Sequence, residues 1–419
     1  MQFEFTPSSQ GLLNSIISVT SCMGYRAQDL RIKAIKGELA DPAMVAPNSR
    51  FNGKLRLEFA GYQSHGELEI NAVVEQEGEL VTNSYFLNQL PALGENEVWT
   101  CTYDGRSTLV VNSSGESGFR YNFTCGEPTG FVYDPKYCDP NIDLGPIATK
   151  LNSLSRTIAG FVSRKSGSDL SEVGCVKICG NPNPRGENGA DTGGLITFEA
   201  TNMNDAIYGE EPVTTMSNPW QVLIPIALFG SWSNLPLDTY AMTLGIGSDH
   251  QVTLRCGPIT IQHNTLSNLI SRMEDVASFA NFYKAMGDKT DPAYAELTFE
   301  MDYAPAELLY RVQNATIYAD GDPSLHVTNE ADKGLNIEVR ATTTDSNVKV
   351  RNGVKVLKEG EFRLNKGSLA LVSRIQDLCS DKPDIAKPEH WLNVRSNNAM
   401  IMVCSADKRW LAIAAQTTI

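Results

Sequence analysis

The residues best suited to chemistry are thinly spread in this 419-residue chain. The five histidines, His65, His250, His263, His326 and His390, lie far apart, and none belongs to an H-E-x-x-H pair that would hold zinc from one helix face. Nine cysteines are equally scattered. Cys175 and Cys179, the one close pair, share a face if they lie on a strand, and their spacing is not the C-x2-C of a zinc site. An odd, dispersed set of thiols fits a reducing compartment. The acidic groups Glu75/Glu77/Glu79 and Glu210/Glu211 suit strand edges, where charge blocks edge pairing. There is no G-x-x-x-x-G-K-[ST] loop and no G-x-S-x-G elbow. Gly245-Ile246-Gly247 lacks the third glycine of a dinucleotide fingerprint, because His250 stands in its place. The expectation is a protein that is not an enzyme and uses no cofactor and no metal.

The element that organises the chain is instead an octet written three times: Gly53-Lys54-Leu55-Arg56-Leu57-Glu58-Phe59-Ala60, Gly194-Leu195-Ile196-Thr197-Phe198-Glu199-Ala200-Thr201 and Gly334-Leu335-Asn336-Ile337-Glu338-Val339-Arg340-Ala341. Each is a glycine turn followed by the alternation of a half-buried strand. The glycines stand 141 and 140 residues apart, a third of the chain. A second alternating strand follows each octet, at Leu80, Val222 and Phe362, and runs into a short apolar helix. A hairpin comes next, turning at Asp104-Gly105, Ser248-Asp249 and Ser396-Asn397-Asn398. The predicted class is α+β: three tandem β-rich domains of two strand–helix halves each, over 1–135, 140–265 and 290–419. Further helices are expected from Ser8 or Ser9 to Cys22, from Pro146 to Val162 and from Pro305 to Thr316, with a last strand over Trp410–Ile419. The connection His263–Glu296 reads as partly helical, with Leu266, Leu269, Ile270 and Met273 on one side.

A hydrophobic share of 42% and a net charge of −14 describe a folded acidic protein and exclude an all-over basic nucleic-acid binder. Residues 1–20 lack a basic n-region, and the longest nearly continuous apolar run, Val222–Trp232, is too short for a membrane span. The charge is segregated. Six windows that cover the expected helices (8–23, 82–90, 146–165, 225–235, 304–316 and 366–376) hold a single acid, Glu307. They hold seven bases: Lys150, Arg156, Arg164, Lys165, Arg311, Lys366 and Arg374. Strands and loops carry the negative charge. Helices stripped of acid in an acidic chain fit a surface that faces a polyanion. The sparse positive charge and the lack of helix-turn-helix or zinc-finger spacing exclude tight sequence-specific DNA binding.

Three tandem two-part domains with acid-free helices resemble the bacterial-type DNA polymerase sliding clamp, the β subunit. The resemblance is clearest in Leu195-Ile196-Thr197-Phe198-Glu199-Ala200-Thr201, similar to that family's apolar strand ending in A-T-D. It continues in Phe362-Arg363-Leu364-Asn365, similar to its F-N strand-to-helix corner, and in Met1-Gln2-Phe3 at the start. There are departures. Thr201-Asn202-Met203-Asn204-Asp205 replaces T-D-G-H-R, Phe279-Ala280-Asn281-Phe282 is the nearest counterpart of F-P-D, and the M-P-M-R-L tail is missing. A divergent, bacteriophage-encoded member would account for them.

The resemblance implies a processivity factor in the cytoplasm of a bacterial host. Two chains would pair head to tail in a ring that encircles duplex DNA without sequence preference and with its helices lining the hole. Arg156, Arg164, Lys165, Lys366 and Arg374, with Arg26 and Lys150, would face the DNA. Polymerase and clamp-loader peptides would dock at Thr201, Met203, Asp205 and Ala206, at Asn365 and Ser368, and at Leu411, Ala412, Ile413, Ala414 and Ala415. Asp205, where the family has a basic residue, is expected to turn the site away from acidic peptide flanks. The competing readings are a β-rich viral structural or assembly protein and a clamp-like scaffold that binds proteins only.

Overall fold

The computed structural model describes residues 1–6, 11–16, 18, 30–42, 49–61, 64–84, 97–114, 118–126, 131–139, 141–162, 174–182, 193–213, 216, 218–247, 251–265, 276–317, 319, 321–330, 334–342 and 345–417. The chain divides into two compact units, residues 1–149 with 227–265 and residues 150–226 with 266–419.

Strands dominate. The first run holds β1 (Gln2–Phe5), β2 (Leu30–Lys36), β3 (Gly53–Ala60), β4 (Ser64–Gln76), β5 (Gly78–Thr82), β6 (Trp99–Tyr103), β7 (Thr108–Ser113) and β8 (Arg120–Thr124). The second holds β9 (Ile142–Asp143), β10 (Cys175–Pro182), β11 (Gly194–Thr201), β12 (Asp205–Val213), β13 (Trp220–Pro225), β14 (Met242–Ile246), β15 (Gln251–Cys256) and β16 (Ile259–Asn264). The third holds β17 (Phe299–Tyr303), β18 (Ser324–Glu330), β19 (Gly334–Arg340), β20 (Asp345–Val350), β21 (Val354–Lys358), β22 (Glu361–Asn365), β23 (Leu392–Ser396), β24 (Met400–Cys404) and β25 (Trp410–Ala415). The helices are α1 (Gly145–Ala148), α2 (Leu151–Ile158), α3 (Ile226–Ser231), α4 (Ala277–Met286), α5 (Pro305–Ala315) and α6 (Lys366–Ser373), and residues 11–16 are also helical.

The three octets are β3, β11 and β19, and each is the third strand of a four-strand order: β5-β2-β3-β4, β13-β10-β11-β12 and β22-β18-β19-β20. The remaining strands repeat as β1-β6-β7-β8, β9-β14-β15-β16 and β17-β23-β24-β25, with β21 added on the outer side of β17. The leading glycines have a common steric cause. A Cβ would lie 2.3 Å from the Ile35 carbonyl oxygen at Gly53, 2.8 Å from that of Asn181 at Gly194, and 2.3 Å from that of Val350 at Gly334. Only glycine lets the backbones approach that closely. β4 alternates buried and half-buried residues from Ser64 to Val74, as the pattern requires of a one-sided strand.

Strands also join successive repeats. The start of β4 pairs with β16 through Ser64–Leu68, and its end pairs with β1. In the same way Asp205–Gly209 of β12 pairs with β25. Among the described residues, β8 pairs only with β7 and β20 only with β19, which leaves each an open edge.

Most expected helices within the described residues are present, with adjusted ends. The first is seen at residues 11–16; Ser8, Ser9 and Cys22 lie outside the described residues, as do the apolar helix after Leu80 and Leu266, Leu269, Ile270 and Met273. The last strand stops at Ala415 rather than Ile419. Beyond it the Arg363 amide donates to Gln416 Oε1 at 2.9 Å and the Thr417 amide donates to the Arg363 carbonyl at 3.2 Å, so the tail turns to β22 instead of extending the ladder.

Candidate functional site

Two of the acid-poor helices, α2 and α6, meet in the second unit. α2 buries Leu151, Leu154 and Ile158 at helical spacing and leaves Arg156 in its last turn exposed. The short 3-10 turn after it brings Gly160 against α6. A Cβ there would stand 2.4 Å from Leu371 Cδ1 and 3.4 Å from Arg374 Nη1. This close approach places the Arg156 helix beside the Arg374 end of α6, with Lys366 at the start of α6. Arg156, Lys366 and Arg374 make no ion pair among the described residues. The acid-free window of α6 ends at Asp377, and Glu307 of α5, the one acid in the six windows, takes up Arg311 at 2.8 Å one helical turn away. Lys150 differs from its companions. Its Nζ lies 2.6 Å from Oε2 of Glu211, whose side chain is only 4% exposed, so this cation is committed to neutralising a buried carboxylate. Arg26, Arg164 and Lys165 lie outside the described residues.

The second set of expected site residues meets at the seam between β12 and β25. Asp205 is opposite Ala414 and Ala206 is opposite Ile413. Before the seam, the turn at Thr201–Asp205 is held by its own side chains. Thr201 Oγ1 accepts from the Met203 amide and donates to the Asp205 carbonyl, both at 3.0 Å, while Asn202 Oδ1 accepts from the Asn204 and Asp205 amides. Met203 sits at φ 77° and is 78% exposed, an apolar side chain displayed on a left-handed residue. Burial raises the Asp205 carboxyl above the usual range, and the Asn202 amide opposes part of that shift. Asn365 and Ser368 lie at the β22–α6 corner, and no side-chain hydrogen bond or ion pair among the described residues joins them to this turn.

Leu411, Ala412, Ile413 and Ala414 are all buried, a continuous run that means both faces of β25 are covered. α6 packs against β25 from one side. On the other, Leu411 and Ile413 form one apolar cluster with Ala206 of β12, Met402 and Cys404 of β24, and Val276, Tyr283 and Met286 of α4. Phe279, Ala280 and Phe282 pack against its margin. So the side chains of an expected peptide pocket are present and adjacent, but the connecting helix α4 lies over them. The sequence reading missed α4 as a lid. Its signal was the spacing of Val276, Ala280, Tyr283 and Met286, which continues the helical period past Met273.

The eight described cysteines are free, and burial pushes those of Cys125, Cys256 and Cys404 up to about 11, far from a reactive thiolate. Among the described residues no three His, Cys, Asp or Glu side chains gather as metal ligands would.

No family model matches the chain, and no curated protein matches it in sequence. Its fold does match solved structures along the whole length. The DNA polymerase III subunit beta from Pseudomonas aeruginosa is similar with a TM-score of 0.70 at 12% identity, and each chain is covered over 100%. A DNA polymerase sliding clamp from Bacillus subtilis has a TM-score of 0.69 at 11% identity, covering 100% of this chain and 99% of that one. The beta subunit from DNA polymerase of Streptococcus pyogenes has a TM-score of 0.69 at 11% identity, with both chains covered over 100%. The chain has the fold of the sliding clamps.

Proposed function

We propose that this sliding-clamp fold does what the fold's name says: it encircles duplex DNA and tethers a replicative DNA polymerase, without catalysing a reaction itself. The observation that carries this is the full-length agreement of a three-fold repeated strand order with clamp structures, in a chain whose helices are nearly free of acid. Three repeats, with boundaries near 1–135, 140–265 and 290–419, are the domains of this reading. Arg156, Lys366 and Arg374 are the cations that face DNA, with Arg26, Arg164 and Lys165 added from the sequence. Each phosphate contact is weak and salt-sensitive, which suits sliding.

The ring needs a second copy. β16 joins the strand β4 of the preceding repeat, and β25 joins β12 of the preceding repeat. Continuing that rule, β8 of one copy joins the open edge of β20 in its partner, head to tail. Both edges display apolar side chains. Phe119, Tyr121 and Phe123 stack along β8, and α5, which packs on β20, exposes Tyr310, with Ile317 exposed just beyond it. Loader and polymerase segments then dock near the β12–β25 seam, in the cytoplasm of a bacterial host that a bacteriophage-encoded clamp would share.

The experiment is retention. A clamp stays on nicked circular DNA and runs off when the DNA is cut to a linear form. Equal loss from both forms would remove the topological reading and leave a structural or protein-scaffold role.

A further inference from the structure

The lid α4 closes one surface and creates another. Beside its last turn, two hollows adjoin and share Tyr283, Lys284 and Lys408. The larger, about 380 Å³, is lined by four cations, Lys284, Lys289, Arg395 and Lys408, and by one acid, Asp288. The smaller, at Ala280, Cys404 and Leu411, is only about 20 Å³, room for a water and not for a side chain. Two of the charged groups are committed. Arg395 Nε donates to Glu300 at 2.8 Å, and Asp288 accepts from the Thr290 amide and hydroxyl at 2.9 and 2.7 Å. Lys284, Lys289 and Lys408 are exposed and make no ion pair or side-chain hydrogen bond among the described residues. Glu210 remains an anion beside the smaller hollow, hydrogen-bonded by the Tyr208 hydroxyl, while Asp407 accepts from Ser405 and lies 4.0 Å from Arg409. Three free ammonium groups thus gather in a chain of net charge −14.

Lys408 adds an independent sign. It occupies a left-handed position, φ 60°, in the β24–β25 turn, where glycine or asparagine would relieve the crowding of Cβ. Lys408 lines the same hollow as Lys284. The side of the sheet also matters. The Leu411–Ile413 side of β25 carries α4 and this hollow, whereas α6, with Lys366 and Arg374, packs on β25 without entering that cluster and so lies on the other side. Phosphate contacts assigned to α6 do not extend here.

We infer that the hollow beside α4 docks an acidic segment of a partner protein, two or more of its carboxylates pairing with Lys284, Lys289 and Lys408. The inference rests on the clamp reading only for taking that partner to be a replication protein. It is separate from the expectation that Asp205 disfavours acidic peptide flanks, because these cations come from a lid and a turn outside the resembling motif. Charge complementarity across such a rim governs association rate and partner choice.

The test is fluorescence anisotropy of a labelled ten-residue peptide of Asp and Glu, titrated with the full chain at low salt. Binding is expected, weakening as salt rises. K284E/K408E should lower affinity by about tenfold or more, and K284Q/K408Q by less. K355E, a charge reversal elsewhere on the surface, should change nothing. Thermal melting of each variant checks that these exposed substitutions leave the fold intact. No binding by the parent chain, or equal binding by K284E/K408E, overturns the inference. A duplex oligonucleotide is run in parallel. If K284E/K408E loses duplex binding and keeps the peptide, the hollow is a phosphate surface and the inference fails. Peptide binding with no retention on circular DNA would instead sink the clamp reading and leave the acidic-peptide site standing.

Discussion

Arg395 and Tyr283 hold each other across the boundary between sheet and lid: the guanidinium carbon lies 4.3 Å from the ring centroid, and Nη1 donates to the Tyr283 carbonyl at 2.6 Å. The same arginine reaches Glu300, and the tyrosine hydroxyl donates to Asn393 Oδ1. One residue of β23 therefore ties α4 to β17. Both members of the Arg395–Glu300 pair are more than four-fifths buried. Arg395→Ala leaves Glu300 unpaired and should cost about 3 kcal/mol by denaturant unfolding. It should also raise amide exchange across Ala277–Met286 more than elsewhere. Uniform exchange would mean that α4 is held by its apolar side alone.

Gly160 sets how near α2 comes to α6. A valine there forces Leu371 aside, since even a Cβ would be 2.4 Å from its Cδ1. We expect Gly160→Val to destabilise by about 1–3 kcal/mol, and Leu371→Ala in the same chain to recover part of that loss, a coupling that a double-mutant cycle reads directly. Additive losses would show that the two helices adjust independently.

The cations of the helices separate into two kinds. Reversing Arg156, Lys366 and Arg374 to Glu should shorten retention on nicked circular DNA and flatten its salt dependence, with little change in melting temperature. Lys150→Met should behave in the opposite way. It strands the buried Glu211 carboxylate and is expected to lower stability by about 3 kcal/mol. If Lys150→Met melts like the parent chain, Glu211 has another means of neutralisation.

His263 makes stability depend on pH. It is fully buried, its Nδ1 lies 2.7 Å from Ser64 Oγ, and burial lowers its pKa from 6.5 to about 3. With the folded pKa below the unfolded one, the unfolded chain binds the extra proton as pH falls through 6.5. Stability is therefore full above that pH and is lost on the way down toward 3. Between pH 6.5 and 5 the loss from this residue should be about 1.6 kcal/mol. His263→Gln should remove that slope, and an unchanged slope would place the proton uptake elsewhere.

The seam itself is tested best without truncation. β25 pairs with both β12 and β24, so deleting Ala414–Ile419 removes ladder bonds on two sides. It should unfold the strand before it informs on docking. Met203→Ser changes an exposed side chain only and should weaken polymerase stimulation with stability within about 0.5 kcal/mol of the parent. Full stimulation would place the anchor elsewhere.

The octets at Gly53, Gly194 and Gly334, their strand alternation and the helix at Leu151–Ile158 were all legible in the sequence. Each is a local pattern, because side chains alternate along a strand and recur every three or four residues along a helix. The near absence of acid from the helices was legible for the same reason. What the sequence could not place were pairings between residues far apart along the chain. Lys150 looks like any other helical cation until the fold sets Glu211 beside it. Gly160 looks like a helix end until Leu371 arrives 2.4 Å from its missing Cβ. Leu411 and Ile413 were expected to line a docking site, and only the tertiary structure covers them with Tyr283 and Met286. A strand's pattern says which residues want burial; which element buries them is decided by long-range packing.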